Sequence, residues 1–186
     1  MRLASIGKSL LAATLLAGGL AHASNQPTAL PGSDADVAQR VRHEILTYPR
    51  YTLWDDIAYR VSNGQVELSG AVTQPYKKSD IEHLVKAIPG VTSLSDRIEV
   101  LPLSPMDDRL RMQVARAIYS DPTLSRYSLG AIPAIHIIVD NGHVTLEGVV
   151  QTAMDKQIAG LRANAAGLSF GSVVNHLQVE NPPHKS

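Results

Sequence analysis

"VDNGHVTLEGVV", residues 139–150, repeats without a gap the pattern of "VSNGQVELSGAV", residues 61–72. Val, Asn-Gly, Val, Leu, Gly and Val fall at the same places in both. Around each Asn-Gly the apolar residues alternate strictly: Ile57, Tyr59 and Val61 before it and Val66, Leu68 and Gly70 after it in the first copy. The second copy has Ile135, Ile137 and Val139, then Val144, Leu146 and Gly148. Alternation is the period of a half-buried strand. Asn63-Gly64 and Asn141-Gly142 predict two-residue type I′ hairpin turns, because that turn needs positive φ at both central positions. Gly70 and Gly148 fall on the inward face, where a missing side chain lets a helix or a neighbouring backbone come close.

The repetition extends outward from the hairpins. Val37, Val41 and Ile45 recur at helical spacing, and Leu110, Val114 and Ile118 repeat that stripe 73 residues later. Asp34 and Asp107 stand at the heads of these helices, where a carboxylate is expected to cap free N–H groups. A second helical stripe follows each hairpin: Ile81, Leu84, Val85 and Ile88 in the first copy, and Met154, Ile158, Leu161 and Ala165 in the second. "LSDRIEV" (94–100) and "VVNHLQV" (173–179) close the units as short strands, with Ile98 and Val100 or Leu177 and Val179 inward. The order is helix, strand, strand, helix, strand, written twice, which makes an α+β chain of two tandem α-β-β-α-β units. The boundaries expected are 34–102 and 105–181, joined by the short Pro-rich bridge "LPLSP" (101–105). The second copy carries about five extra residues around "SRYSLGAIP".

The first 23 residues read as a leader. Arg2 and Lys8 precede the apolar run "LLAATLLAGGLA", which ends at Ala21-His22-Ala23. A basic start, a short apolar run and small residues at −3 and −1 predict a secretory signal peptide cleaved after Ala23. The expected destination is the periplasm. The chain of 186 residues contains no cysteine, which excludes disulfides, thiolate metal sites and cysteine nucleophiles. Trp, Tyr and Phe number 1, 6 and 1, so the core must be aliphatic. Without Arg2 and Lys8, the 17 bases fall to 15 against 17 acids, and a net negative chain is poorly suited to broad nucleic-acid binding.

A hairpin written V-x-N-G-x-V-x-L-x-G-x-V, flanked by an amphipathic helix on each side and closed by a short strand, resembles the BON domain. Two copies behind a leader resemble the osmotically inducible periplasmic type, over nearly all of residues 34–181. The resemblance implies, for each unit, a mixed three-stranded sheet with two helices on one face. It also implies a binding role at the cell envelope, commonly thought to involve phospholipid, and no catalytic residues.

The residues themselves offer little for chemistry. His136, His143 and His176 fall on outward strand positions together with Asp140, Glu147 and Glu180. A two-residue turn pairs Asp140 with His143 and His136 with Glu147, which sets the two histidines roughly 13 Å apart at ~3.3 Å per residue. Zinc ligands must each lie within about 2.1 Å of one ion. No metal and no cofactor are expected, and the histidines read as solvated. Asp55 and Asp56 are adjacent and point to opposite faces of an extended chain. No nucleophile elbow or phosphate-binding loop occurs. The chain is not expected to be an enzyme.

Two interaction features remain. Arg109, Arg111 and Arg116 lie on the first helix of the second unit, and Arg126 follows in the loop "DPTLSRYSLG". They read either as an ordinary solvated face, offset by Asp107, Asp108 and Asp121, or as a lipid-binding face for anionic phospholipid. Trp54, with Tyr48 and Tyr51, reads as an interfacial aromatic patch or as a contact between units. The expected function is a non-catalytic periplasmic binding protein acting in envelope maintenance or osmotic stress. The alternative is a scaffold module that binds another envelope protein or a cell-wall polymer.

Overall fold

Residues 32–167 and 171–180 are described by the structure, a computed structural model. The expected leader and its cleavage point after Ala23 lie outside them. In the first unit, α1 (Asp34–Thr47) precedes the antiparallel pair β1 (Asp56–Ser62) and β2 (Gln65–Val72); α2 (Pro75–Lys86) then leads to β3 (Ser93–Val100), parallel to β2. The second unit repeats this with α3 (Pro105–Tyr119), β4 (Ile135–Asp140), β5 (His143–Val150) and α4 (Ala153–Gly167). Its last strand is broken into β6 (Val173–Asn175) and β7 (Gln178–Val179), both parallel to β5. The fold is α+β, with two mixed sheets, ordered β1-β2-β3 and β4-β5-β6.

Both hairpins turn as their sequences require. Asn63 and Gly64 have φ of 52° and 72°, and Asn141 and Gly142 have 47° and 80°. The turns are held by an unexpected group. Ser33 and Ser104 cap the helices, accepting from the N–H of Asp36 and Asp107 at 3.2 Å. Asp34 instead accepts from the turn N–H groups of Asn63 (2.7 Å) and Gly64 (2.8 Å). Asp107 does the same for Asn141 (3.1 Å) and Gly142 (2.9 Å). The turn N–H groups have no ladder partner, and a carboxylate with two oxygens satisfies both, tying the first helix to the hairpin in each unit.

Gly70 and Gly148 have φ of 114° and 112°, and a Cβ on them would meet the carbonyl oxygens of Asp56 and Ala134 at 2.2 and 2.1 Å. The close neighbour is the adjacent strand's backbone, not a helix.

Val37, Val41, Ile45, Leu68, Ile81, Val85 and Ile98 centre the first core, and Leu110, Val114, Ile118, Ile137, Leu146 and Leu177 the second. Expected core positions on two elements, β3 and α4, are exposed. Val100 lies near the surface while Leu101 is buried and donates to Val72 O at 2.9 Å. On α4, Met154 is 61% exposed and Leu161 70%; the buried line is Asp155, Ala159 and Ala163, one residue round the helix. Small residues set this choice by letting α4 lie close to the sheet. A Cβ on Gly160 would stand 2.9 Å from Nδ2 of Asn175.

Candidate functional site

The segment before β1 joins the two units. Ile137 on the outer edge of β4 donates its N–H to Leu53 O at 2.8 Å, and Leu53 and Trp54 pack against the second core. Trp54 is therefore a contact between units, whereas Tyr48 and Tyr51 are buried in the first core. His136 is on the outward face of β4, as alternation requires, yet it is only 8% exposed, which corrects its reading as a solvated histidine. The first unit covers it: its Nδ1 lies 2.6 Å from Asp55 O, and the Tyr51 ring stands 5.5 Å away. Asp56 closes this junction. Burial, chiefly, and the nearby Glu147 push its carboxyl up, against the opposing pull of His136.

The other histidines stay apart. The strand register pairs Asp140 with His143 and His136 with Glu147, as the turn length predicts. His143 Nδ1 meets Ser172 Oγ at 3.0 Å, and His176 Nδ1 meets Glu147 Oε1 at 2.7 Å. Among the described residues no group of three potential ligands has metal-binding geometry.

Each unit holds one buried carboxylate in a polar knot. Asp55 accepts from Lys77 Nζ (2.6 Å), from the N–H (2.9 Å) and hydroxyl (2.7 Å) of Thr52, and from the N–H (2.8 Å) and hydroxyl (2.9 Å) of Thr73. Asp155 accepts from Arg126 (2.7 Å), Tyr127 Oη (2.8 Å) and the hydroxyl of Thr152 (2.8 Å). Burial alone would raise both carboxyls, but these donors outweigh it and hold both below the usual range. Carboxylates so fully engaged are structural anchors, poorly placed for proton transfer.

The four candidate arginines do not form one face. Arg111 is only 5% exposed, pairing with Asp108 at 2.6 Å and donating to Val139 O at 2.6 Å. Arg126 is held by Asp155 and lies over the Tyr127 ring. Both serve the fold because a carboxylate or carbonyl stands within their reach. Arg109 and Arg116 are exposed on the outer side of α3 and pair with no carboxylate among the described residues. Met112 falls between them at i+3 and i−4, on the same face and 55% exposed, with Met106 also exposed nearby. Nothing in the sequence pattern sets these methionines apart, because methionine is ordinarily among the buried residue types.

Comparison with known proteins agrees with the repeat. Residues 33–102 and 107–181 each match the family model described as "BON domain". No curated protein matches the chain. Among solved structures, one of CdsD, described as a structural protein of the Type III secretion system of Chlamydia trachomatis, is 14% identical, covers 80% of this chain and 94% of that one, and has a TM-score of 0.28. A second, described as the C-terminal domain of CdsD, is 15% identical, covers 80% of this chain and 100% of that one, and has a TM-score of 0.29. Neither likeness bears on function.

Proposed function

The chain belongs to the BON-domain family, with two copies in tandem, and from that premise we propose that it is a non-catalytic periplasmic binding protein that contacts phospholipid at the envelope, acting in envelope maintenance or osmotic stress. The observation that carries the lipid reading is the outer side of α3, where Arg109 and Arg116 flank exposed Met112. Guanidinium groups chelate phosphate, and a flexible apolar side chain between two of them suits the boundary between headgroups and acyl chains. No helix among the described residues is long and apolar enough to cross a membrane, so the contact proposed is peripheral.

Vesicle flotation tests this. The protein, purified as the cell processes it, should float with phosphatidylethanolamine–phosphatidylglycerol vesicles at low salt and sink as salt rises. Arg109→Gln with Arg116→Gln should weaken binding ~30-fold, at about 1 kcal/mol for each basic residue near an anionic surface. The melt should be unchanged, since both arginines are exposed. Absence of wild-type flotation would remove the lipid reading and leave the scaffold alternative.

A further inference from the structure

We propose that α4 is a second membrane-contact helix, which sets Met154 and Leu161 into the apolar boundary of an anionic bilayer beside the α3 arginines. This deepens the lipid reading above and rests on it.

Met154, Leu161 and Ala165 are all exposed on the side of α4 opposite Ala159 and Ala163, with half-buried Ile158 along the same stripe. Single exposed apolar residues are common, but here Met154 and Leu161 flank exposed Gln157 on the outermost side of a helix whose buried line holds a carboxylate and alanines. The two helices of the unit pack side by side, joined where Arg162 bonds Asp121 at 2.8 Å. The outer sides of α3 and α4 therefore form one surface, carrying Met106, Met112, Met154 and Leu161. These unbranched or flexible side chains adapt to a fluid partner.

Charge selects the partner. Every carboxylate of this helical layer is already engaged: Asp107 by the turn, Asp108 by Arg111, Asp121 by Arg162 and Asp155 by Arg126. Arg109, Arg116 and Lys156 pair with no carboxylate among the described residues, so the layer presents uncompensated positive charge. A second copy docking through the same face would set like charges against each other. An anionic bilayer meets the cations and covers Met154 and Leu161 together.

Flotation with the same phosphatidylethanolamine–phosphatidylglycerol vesicles separates the two ideas. Met154→Gln with Leu161→Gln should leave the melt unchanged and weaken partitioning at least ~10-fold, removing the component that survives high salt. The Arg109→Gln, Arg116→Gln protein should instead lose the salt-dependent component. If the α4 variant binds like wild type while the arginine variant does not, the α4 contact is wrong and the α3 reading stands. If wild type binds no vesicle, both fall. If the wild type sediments as a dimer that the α4 variant dissociates, the stripe is a protein contact and the proposal is overturned.

Discussion

Lys77 of α2 and Asp155 of α4 occupy the same place in the two units, 78 positions apart, and carry opposite charges. In the first unit the base is on the helix and the acid, Asp55, is in the segment before β1. In the second unit the position 78 residues after Asp55 is Pro133, which offers no charge. Arg126 and Tyr127, in the stretch that lengthens the second copy, supply the partner instead. Both arrangements pin the head of the second helix to the chain entering the hairpin, so the extra residues complete the fold with reversed polarity.

The reversal makes the two knots unequal in strength. Lys77→Ala leaves Asp55 buried and stripped of its cation, and should destabilise the protein by about 3–5 kcal/mol. Arg126→Ala should cost about 1 kcal/mol or less, because the Arg126 side chain is 44% exposed and Asp155 keeps Tyr127 and Thr152. Urea midpoints of the two variants measure the difference. Equal losses would show that the surrounding hydroxyls, rather than the cations, hold these carboxylates.

Acid should act in opposite directions on neighbouring residues. Asp55 is held below the ordinary range, so its contribution is present above the unfolded value of ~3.9 and is lost as pH falls through the folded value. Asp56 is pushed up, so its contribution is present below that unfolded value and is lost as pH rises through the folded one. Asp56→Asn should therefore stabilise the protein at pH 7 and lose that advantage near pH 3. Thermal melts at the two pH values test this. A gain of the same size at both would mean that the junction does not penalise the ionised carboxylate.

The parts of the fold set by short-range backbone demands are legible in the sequence. Asn-Gly turns, alternating strands and the α1 and α3 stripes follow from φ signs and burial parity, and the register Asp140 to His143 follows from turn length. The α4 stripe is not legible, because Ala159, Gly160 and Ala163 pack well while carrying little hydrophobic signal. The burial of His136 escapes for another reason. Parity places it on the outward face, and nothing local says that residues 81 positions earlier will cover that face. The roles of Arg111 and Arg126 are hidden in the same way, since only the folded chain brings Val139 O and Asp155 to them.

Gly148 and Gly142 should respond very differently to alanine. Gly142, at φ 80°, holds a left-handed turn conformation, which costs a side-chain-bearing residue about 1–2 kcal/mol. Gly148, at φ 112°, lies outside that region, and its new Cβ would sit 2.1 Å from Ala134 O. Gly148→Ala should cost more than ~3 kcal/mol, because the Ala134 carbonyl cannot move aside without losing its bond from Val149 N at 3.3 Å. Urea melts decide between them, and equal midpoints would show that the chain entering β4 yields easily at Ala134.

One buried atom of the first unit has no partner, and the second unit shows how to satisfy it. Asp96 Oδ1 accepts from Ile98 N at 2.8 Å, but its buried Oδ2 meets no donor among the described residues. Lys78 Nζ stands 3.9 Å from Oδ1 and bonds Ile98 O instead. The matching residue 79 positions later is Asn175, which accepts from Leu177 N at 3.2 Å and donates Nδ2 to Lys156 O at 2.7 Å. Asp96→Asn should reproduce that bridge to the carbonyl of Lys78, raising stability by about 1 kcal/mol. The half-exposed Lys78 contact it gives up contributes little, ~0–1 kcal/mol. Asn175→Asp should cost about 1–3 kcal/mol, since a carboxylate oxygen would face a helix carbonyl. Opposite shifts in urea midpoint are the expected pair of results. A loss for Asp96→Asn would mean that the Lys78 charge matters more to β3 than the missing hydrogen bond.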